Sequence, residues 1–115
     1  MIDGFFQIAF TGSAGSGFGV LMLREGSIAG ADATGTTYEG TYTENAKTGE
    51  IDLHVNMAVP AGVTPVQTGI PLAVAATFPI EANLVKADIL GEKLILLRTS
   101  LGPVNLIMRK IRDFP

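Results

Sequence analysis

The sequence predicts an all-β protein, an antiparallel sandwich or barrel of seven or eight short strands in a single domain over residues 1–115. Three observations predict this class. Apolar and polar residues alternate in several stretches, turn signals recur about every ten residues, and no stretch has a sustained helical period with caps. The chain has 14 glycines, and those inside the short strands favour a tightly curved sheet, as in a barrel.

The first half of the chain predicts five strands joined by glycine-rich or polar turns. Residues 12–17 are interpreted as a flexible hairpin turn, because they lack the Gly-Lys-Ser/Thr of a phosphate-binding loop. No helix fits between Gly19 and Gly26, so a dinucleotide-binding fingerprint is also excluded. The five predicted strands are 4–11, 18–24, 28–33, 36–43 and 50–59.

Alternation within these strands predicts which side chains face the interior. A slip of one residue in register would expose all of them, so the pattern fixes the face strongly. Gly40 lies between two inward tyrosines, which indicates strong bending or a close neighbour at that position. The predicted inward, cavity-lining residues are Phe6, Ile8, Phe10, Tyr38, Tyr42, Leu53 and Val55.

The second half of the chain is less regular. Residues 60–71 predict a long apolar loop, because their prolines lack the N–H that a central strand donates, and a loop this apolar is expected to cover something. Residues 72–80 predict a sixth strand, and residues 93–99 and 104–112 predict the last two. Residues 81–91 fit either a short helical turn or a poor strand.

Composition and charge exclude several classes of function. A net charge of −3 and a pI near 4.9 argue against binding to nucleic acid, and the absence of cysteine excludes disulfides and thiolate metal sites. The longest uncharged stretch, residues 53–80, is interrupted by four prolines and therefore does not predict a membrane helix. Asp3 stands where a signal peptide carries positive charge, so we expect a soluble, cytoplasmic protein.

Three stretches are apolar on both faces, namely residues 20–23, 94–97 and 106–108. A barrel interior takes only one face of a strand, so the other face must meet a partner or stay as apolar surface. The sequence therefore predicts a homodimer.

No group of residues predicts catalysis, and no cofactor or metal site is expected. His54 is the only histidine and lies between Asp52 and Asn56 on the polar face of its strand, which is typical of an exposed side chain. Four acids gather around one predicted turn, where they form either a solvated acidic face or a surface that orients a protein partner. These acids are Glu39, Glu44, Glu50 and Asp52.

Five short motifs follow one another in order along the first half of the chain, namely Asp3-Gly4-Phe5-Phe6, Gly17-x-Gly19, residues 26–32, Tyr38-Glu39-Gly40 and Ile51-x-Leu53-His54-Val55. In their order and spacing, these motifs resemble the GrlR-type family, negative regulators of type III secretion gene expression. The resemblance covers the first half of the chain well and the second half only loosely. It implies a small lipocalin-like β-barrel with a hydrophobic cavity, which forms homodimers and binds a transcriptional activator rather than DNA.

One turn departs from the family pattern. The family's founding regulator binds its activator through a Glu-Asp-Glu-Asp motif, where this chain has Glu44-Asn45-Ala46-Lys47. The resemblance predicts a non-catalytic regulator that binds a protein through the acidic residues near this turn. The alternative is a carrier or sensor of a small hydrophobic ligand, with residues 60–71 as a lid.

Overall fold

Eight antiparallel strands form one nearly closed barrel in the computed structural model, which describes residues 2–114. This confirms the predicted all-β class and the antiparallel barrel, which has eight of the seven or eight strands predicted. The strands are β1 Gly4–Gly12, β2 Gly15–Arg24, β3 Ser27–Asp32, β4 Thr37–Glu44, β5 Glu50–Val59, β6 Ala76–Val85, β7 Ile95–Thr99 and β8 Gly102–Arg112, with one short helix, α1 Lys86–Leu90, between β6 and β7.

The strand order in the sheet is β6-β5-β4-β3-β2-β1-β8-β7. Six strands follow one another as neighbours, and β8 then returns to pair with β1 while β7 lies outside it. The two edge strands, β6 and β7, are joined through α1 and approach each other without a hydrogen-bonded ladder in the described chain. This seam is where the barrel remains incompletely closed.

The sixth strand differs from its prediction, since it begins at Ala76 and ends at Val85. Leu72 is held in the loop instead, because its N–H donates to the carbonyl of Val63 over 3.0 Å. Strand β6 then pairs along the whole of β5, from Val59 opposite Ala76 to Glu50 opposite Val85. Pro79 is tolerated within this strand because β6 is an edge strand.

The first turn is also shorter than predicted, and the ambiguous segment after residue 80 is resolved. Only Ser13 and Ala14 form the first turn, because the β1–β2 ladder continues to the pair Gly12 and Gly15. The ambiguous residues 81–91 divide between the end of β6 and the helix α1.

One end of the barrel is packed solid, and we call it the closed end. The largest side chains that are less than 2% exposed lie in this core, and Ile89 of α1 is one of them. The phenol of Tyr42 is also buried there and donates to the Asp3 carboxylate. Burial and this hydrogen bond raise the pKa of Tyr42 to about 12. The largest side chains of this core that are less than 2% exposed are Phe6, Ile2, Leu23, Ile51 and Ile89.

Helix α1 is five residues long. None of the helical structure within residues 2–114 is long and apolar enough to cross a membrane.

Candidate functional site

The barrel interior contains a cavity of about 420 Å³ between the closed end and the opposite end, which we call the open end. Four connections meet at the open end, namely β1–β2, β3–β4, β5–β6 and β7–β8. The cavity wall is mainly aliphatic and aromatic, because inward positions of all eight strands contribute to it. Representative wall residues are Phe10, Leu21, Val55, Met57, Ile80 and Leu106.

The structure places all seven predicted inward residues on the inner face of the sheet, but at different heights. Five of them line the cavity, and these are Ile8, Phe10, Tyr38, Leu53 and Val55. Phe6 and Tyr42 belong instead to the core of the closed end, where they are 0% and 4% exposed. Alternation in sequence predicts which side chains of a strand point inward. It does not predict where along the barrel axis the packed core ends and the cavity begins.

Residues 60–75, which we call the cover loop, lie across the open end. Its residues Val63 to Gln67 form part of the cavity wall, and Pro65 is buried. The carbonyl of Val66 accepts from the Ala14 N–H at 2.8 Å, and the carbonyl of Gln67 accepts from the Ser13 hydroxyl at 2.8 Å. The loop is therefore tied to the β1–β2 hairpin by its backbone.

Gly12 permits this contact. A Cβ atom at Gly12 would lie 2.4 Å from the Val66 carbonyl oxygen, closer than any real contact allows. The cover loop is also joined to the β7–β8 hairpin, because the Gln67 side-chain amide donates to the Thr99 hydroxyl at 3.4 Å. The loop therefore contacts two neighbouring hairpins, β1–β2 and β7–β8, which are joined by the pairing of β1 with β8.

Four polar residues at the β3–β4 connection form a hydrogen-bonded cluster on the cavity wall, which we call the polar rim: Asp32, Thr34, Thr36 and Tyr38. The Tyr38 hydroxyl donates to Asp32 Oδ2 at 2.8 Å, and the Thr34 N–H and hydroxyl donate to Asp32 Oδ1 at 2.9 and 2.6 Å. Burial, reinforced by the bond to Asp32, raises the pKa of the Tyr38 phenol well above its usual range.

Sequence reasoning did not single out Asp32 as a site residue. A signal was present, because aspartate followed two residues later by threonine, then glycine, is typical of a turn in which the carboxylate accepts from the backbone. The pattern predicts the turn. It does not reveal that the turn faces a cavity, since that depends on β3 and β4 sitting beside the cover loop.

The predicted acidic surface is only partly as expected. Glu39, Glu50 and Asp52 are exposed on the outer face of β4 and β5, and Asp52 accepts from the side-chain amide of Asn83. Glu44 differs, because β4 continues through it and places its side chain on the inner face with Tyr42. The same alternation, carried one step further from the tyrosines, would have predicted this.

Glu44 makes two contacts at the closed end and is only 14% exposed. One oxygen accepts from the Ile2 N–H at 2.8 Å, and the other accepts from the Lys86 ammonium at 3.0 Å. The Lys86 ammonium holds the pKa of the Glu44 carboxyl below its ordinary value of 4.5. Glu44 therefore joins β4 to the start of α1, and the candidate partner surface is left with Glu39, Glu50 and Asp52.

This geometry predicts a pH-dependent loss of stability. A carboxyl whose pKa is lowered by folding stabilises the protein above about pH 4.5 and loses that contribution as pH falls through the folded-state pKa. We expect Glu44→Gln to lower the free energy of unfolding by about 1–2 kcal/mol at neutral pH, and by much less near pH 3. Urea unfolding of both proteins across this range measures the difference.

Glu50→Gln is the matched control, because Glu50 is exposed and its carboxylate has only a 3.4 Å contact with the Thr48 hydroxyl. Its effect on the free energy of unfolding should stay within about 0.5 kcal/mol at every pH. A Glu44→Gln effect that is equally small, or that does not change with pH, would contradict the assigned contact with Lys86.

His54 lies on the outer face of β5, and its Nδ1 is 3.3 Å from a Glu81 carboxylate oxygen. Both side chains are mostly exposed, at 62% and 75%. Within residues 2–114, no three histidine, aspartate or glutamate side chains come together so as to hold a metal ion. The pair of His54 and Glu81 is an exposed contact between neighbouring strands.

The stretches predicted to be apolar on both faces lie in one region of the barrel, where the strand order is β2-β1-β8-β7. Val20 of β2, Ile107 of β8 and Leu96 of β7 point outward and are 54%, 37% and 55% exposed. Strand β1 connects them, with Gln7 opposite Val20 and Ala9 opposite Ile107. The homodimer stays a prediction, which light scattering at micromolar concentration tests.

Comparison with known proteins found no matching family model and no matching curated protein.

Proposed function

We propose that the protein is a non-catalytic binding protein that holds a small apolar molecule in its barrel cavity. The observation that carries this proposal is the cavity itself, with its volume of about 420 Å³ and its largely apolar wall. Small-molecule sites range from about 300 to 1,000 Å³ and are lined mainly by hydrophobic side chains. Protein interiors otherwise hold few voids larger than a water molecule, so an unfilled volume of this size calls for an occupant.

The cover loop supports the same function. An apolar ligand gains affinity from the surface it removes from water, and a covered cavity removes more of that surface than an open groove. The loop is held by hydrogen bonds from Ser13 and Ala14 and by one to Thr99 rather than by a continuous ladder. It therefore has few bonds to break when a ligand enters or leaves.

Filling the cavity from within should weaken binding. Val55 lines the cavity, so Val55→Phe is expected to weaken binding of the uncharged fluorescent probe N-phenylnaphthylamine at least about tenfold. Val20→Phe makes the same substitution on the outer face of β2, where the valine is 54% exposed, and should leave probe affinity unchanged. Fluorescence titration measures both affinities, and urea unfolding checks that both variants fold.

The proposal would be contradicted if the wild-type protein bound the probe without saturation. Equal loss of affinity in the folded Val55→Phe and Val20→Phe variants would contradict it as well, because the probe would then be binding outside the cavity.

A second candidate function is a cytoplasmic, GrlR-like negative regulator of transcription that binds a protein partner. The observation that favours it is the position of Glu39, Glu50 and Asp52, which are exposed on the outer faces of the neighbouring strands β4 and β5. Exposed acids on one face attract a basic surface and raise the association rate more than they add affinity. A transcriptional activator with a basic patch is the kind of partner this face suits.

A photo-cross-linker at Thr41 tests this candidate, since Thr41 is exposed between Glu39 and Thr43 on β4. The captured partner is then purified and its association rate with the protein measured at low salt. Charge reversal at Glu39 and Asp52 to lysine should lower that rate, whereas Glu92→Lys, in the turn after α1, should change it little. Equal rates for all three proteins would show that the acids are only a solvated face.

A further inference from the structure

The polar side chains of the cavity wall are confined to the open end. The polar rim lies at the β3–β4 connection, Gln67 lies in the cover loop, and Thr99 ends β7. The opposite end of the cavity is bounded by Leu23, Ile28 and Ile89, which are all buried in the apolar core. The cavity is therefore apolar at its floor and polar at its mouth.

The mouth carries negative charge without a neighbouring cation. Asp32 is the only acid on the cavity wall as the structure describes it, and that wall includes no lysine, arginine or histidine. The donors to Asp32 are the Tyr38 hydroxyl and the N–H and hydroxyl of Thr34, which are all uncharged. None of the ion pairs within residues 2–114 involves Asp32.

Asp32 also retains capacity to accept another hydrogen bond. Two carboxylate oxygens offer about four acceptor positions, and the contacts within the rim use three of them. Thr36 is 3% exposed, and its hydroxyl is hydrogen-bonded to the Thr34 hydroxyl at 2.9 Å. The rim is thus a hydrogen-bonded cluster whose remaining hydrogen-bonding positions are mainly acceptors.

Resting on the proposed function, we infer that the cavity selects amphiphiles whose polar end is a neutral hydrogen-bond donor or a cation, and that it rejects anionic ones such as fatty acids. The apolar part of the ligand fills the floor, and an alcohol or ammonium group at the mouth donates to Asp32. An anionic end group placed there meets the Asp32 carboxylate with no cation to offset either charge, which is costly in a partly buried site.

Three probes with the same alkyl chain test this selectivity, namely decanol, decylammonium and decanoate. Each is titrated against the wild-type protein loaded with N-phenylnaphthylamine. We expect decanol and decylammonium to displace the fluorescent probe at concentrations at least about tenfold lower than decanoate does, since one unfavourable charge contact is worth a factor of this order.

Asp32→Asn removes the charge and keeps the shape of the side chain. It should improve displacement by decanoate, weaken displacement by decylammonium and leave decanol within about threefold of wild type. Asp52→Asn changes the net charge equally but lies on the outer face of β5, so it should leave the order of the three probes unchanged.

The outcomes separate this inference from the proposed function. Decanoate that competes as well as decanol in the wild-type protein overturns the inference while leaving the cavity as a ligand site. Failure of the fluorescent probe and of all three amphiphiles to bind overturns both. An Asp32→Asn protein that folds and keeps the wild-type order would show that the carboxylate does not set the selectivity, and if this variant does not fold, the wild-type order still decides.

Discussion

Phe6→Ala is expected to lower the free energy of unfolding by about 3–5 kcal/mol, which is the usual range for truncating a fully buried phenylalanine. Phe6 is 0% exposed and lies in the core of the closed end. That core also includes Ile2, which precedes β1, and Ile89 of α1, so it joins the barrel to the elements that close it. A domain of this size has a net stability of about 5–15 kcal/mol, and the truncation therefore removes a large part of it.

Phe5→Ala is the matched control, because it makes the same truncation one residue earlier on the opposite face of β1. Phe5 is 36% exposed and packs against the Phe114 ring, at 4.6 Å between centroids. We expect it to cost less than about 1 kcal/mol. Urea unfolding of both variants measures the contrast, and similar losses would mean that the register of β1 is different.

The inward face of each strand in the first half could be predicted from the sequence because a half-buried strand must alternate. Phe6, Ile8 and Phe10 all face inward as the alternation requires. The same rule could not separate Phe6, which is packed, from Phe10, which lines the cavity. That distinction depends on which side chains from other strands reach the same height in the barrel, and a single strand carries no such information.

The edge of the sheet was harder to predict than its centre. Residues 72–75 have the apolar character of a strand but belong to the cover loop, within which the Gly62 N–H donates to the Leu72 carbonyl at 2.7 Å. The start of β6 is set by the length of β5, which it pairs along completely. Such a boundary follows from pairing between distant segments rather than from local propensity.

Charged residues were misplaced where an element ended differently from its prediction. The sequence predicts that the fourth strand ends at Thr43, which leaves Glu44 in a turn. In the structure, β4 includes Glu44, and its carboxylate accepts from Lys86. The polar rim was missed for a related reason. Asp32 is the last residue of β3, and the local sequence there predicts only a turn. Its position at the mouth of a cavity depends on the assembled barrel.

Gly40→Ala is expected to lower the free energy of unfolding by about 3 kcal/mol, at the upper end of the usual cost of overpacking. A Cβ atom at Gly40 would lie 1.9 Å from the His54 carbonyl oxygen and 2.8 Å from the Val55 Cα. Both atoms belong to the backbone of β5, so no side chain can rotate away to relieve the contact. The sequence indicates either strong bending or a close neighbour at this glycine, and the backbone of the next strand is such a neighbour.

Gly15→Ala is the control for this prediction, since the nearest atom to its added Cβ is the Val66 Cγ1 at 3.9 Å, an ordinary contact. That variant should be neutral or more stable by up to about 1 kcal/mol, because alanine reduces the entropy of the unfolded chain. Val55 is the cross-strand partner of Gly40 and lines the cavity, so displacing β5 should also weaken probe binding in Gly40→Ala. A Gly40→Ala protein with wild-type stability and wild-type probe affinity would show that β4 and β5 are farther apart than this barrel requires.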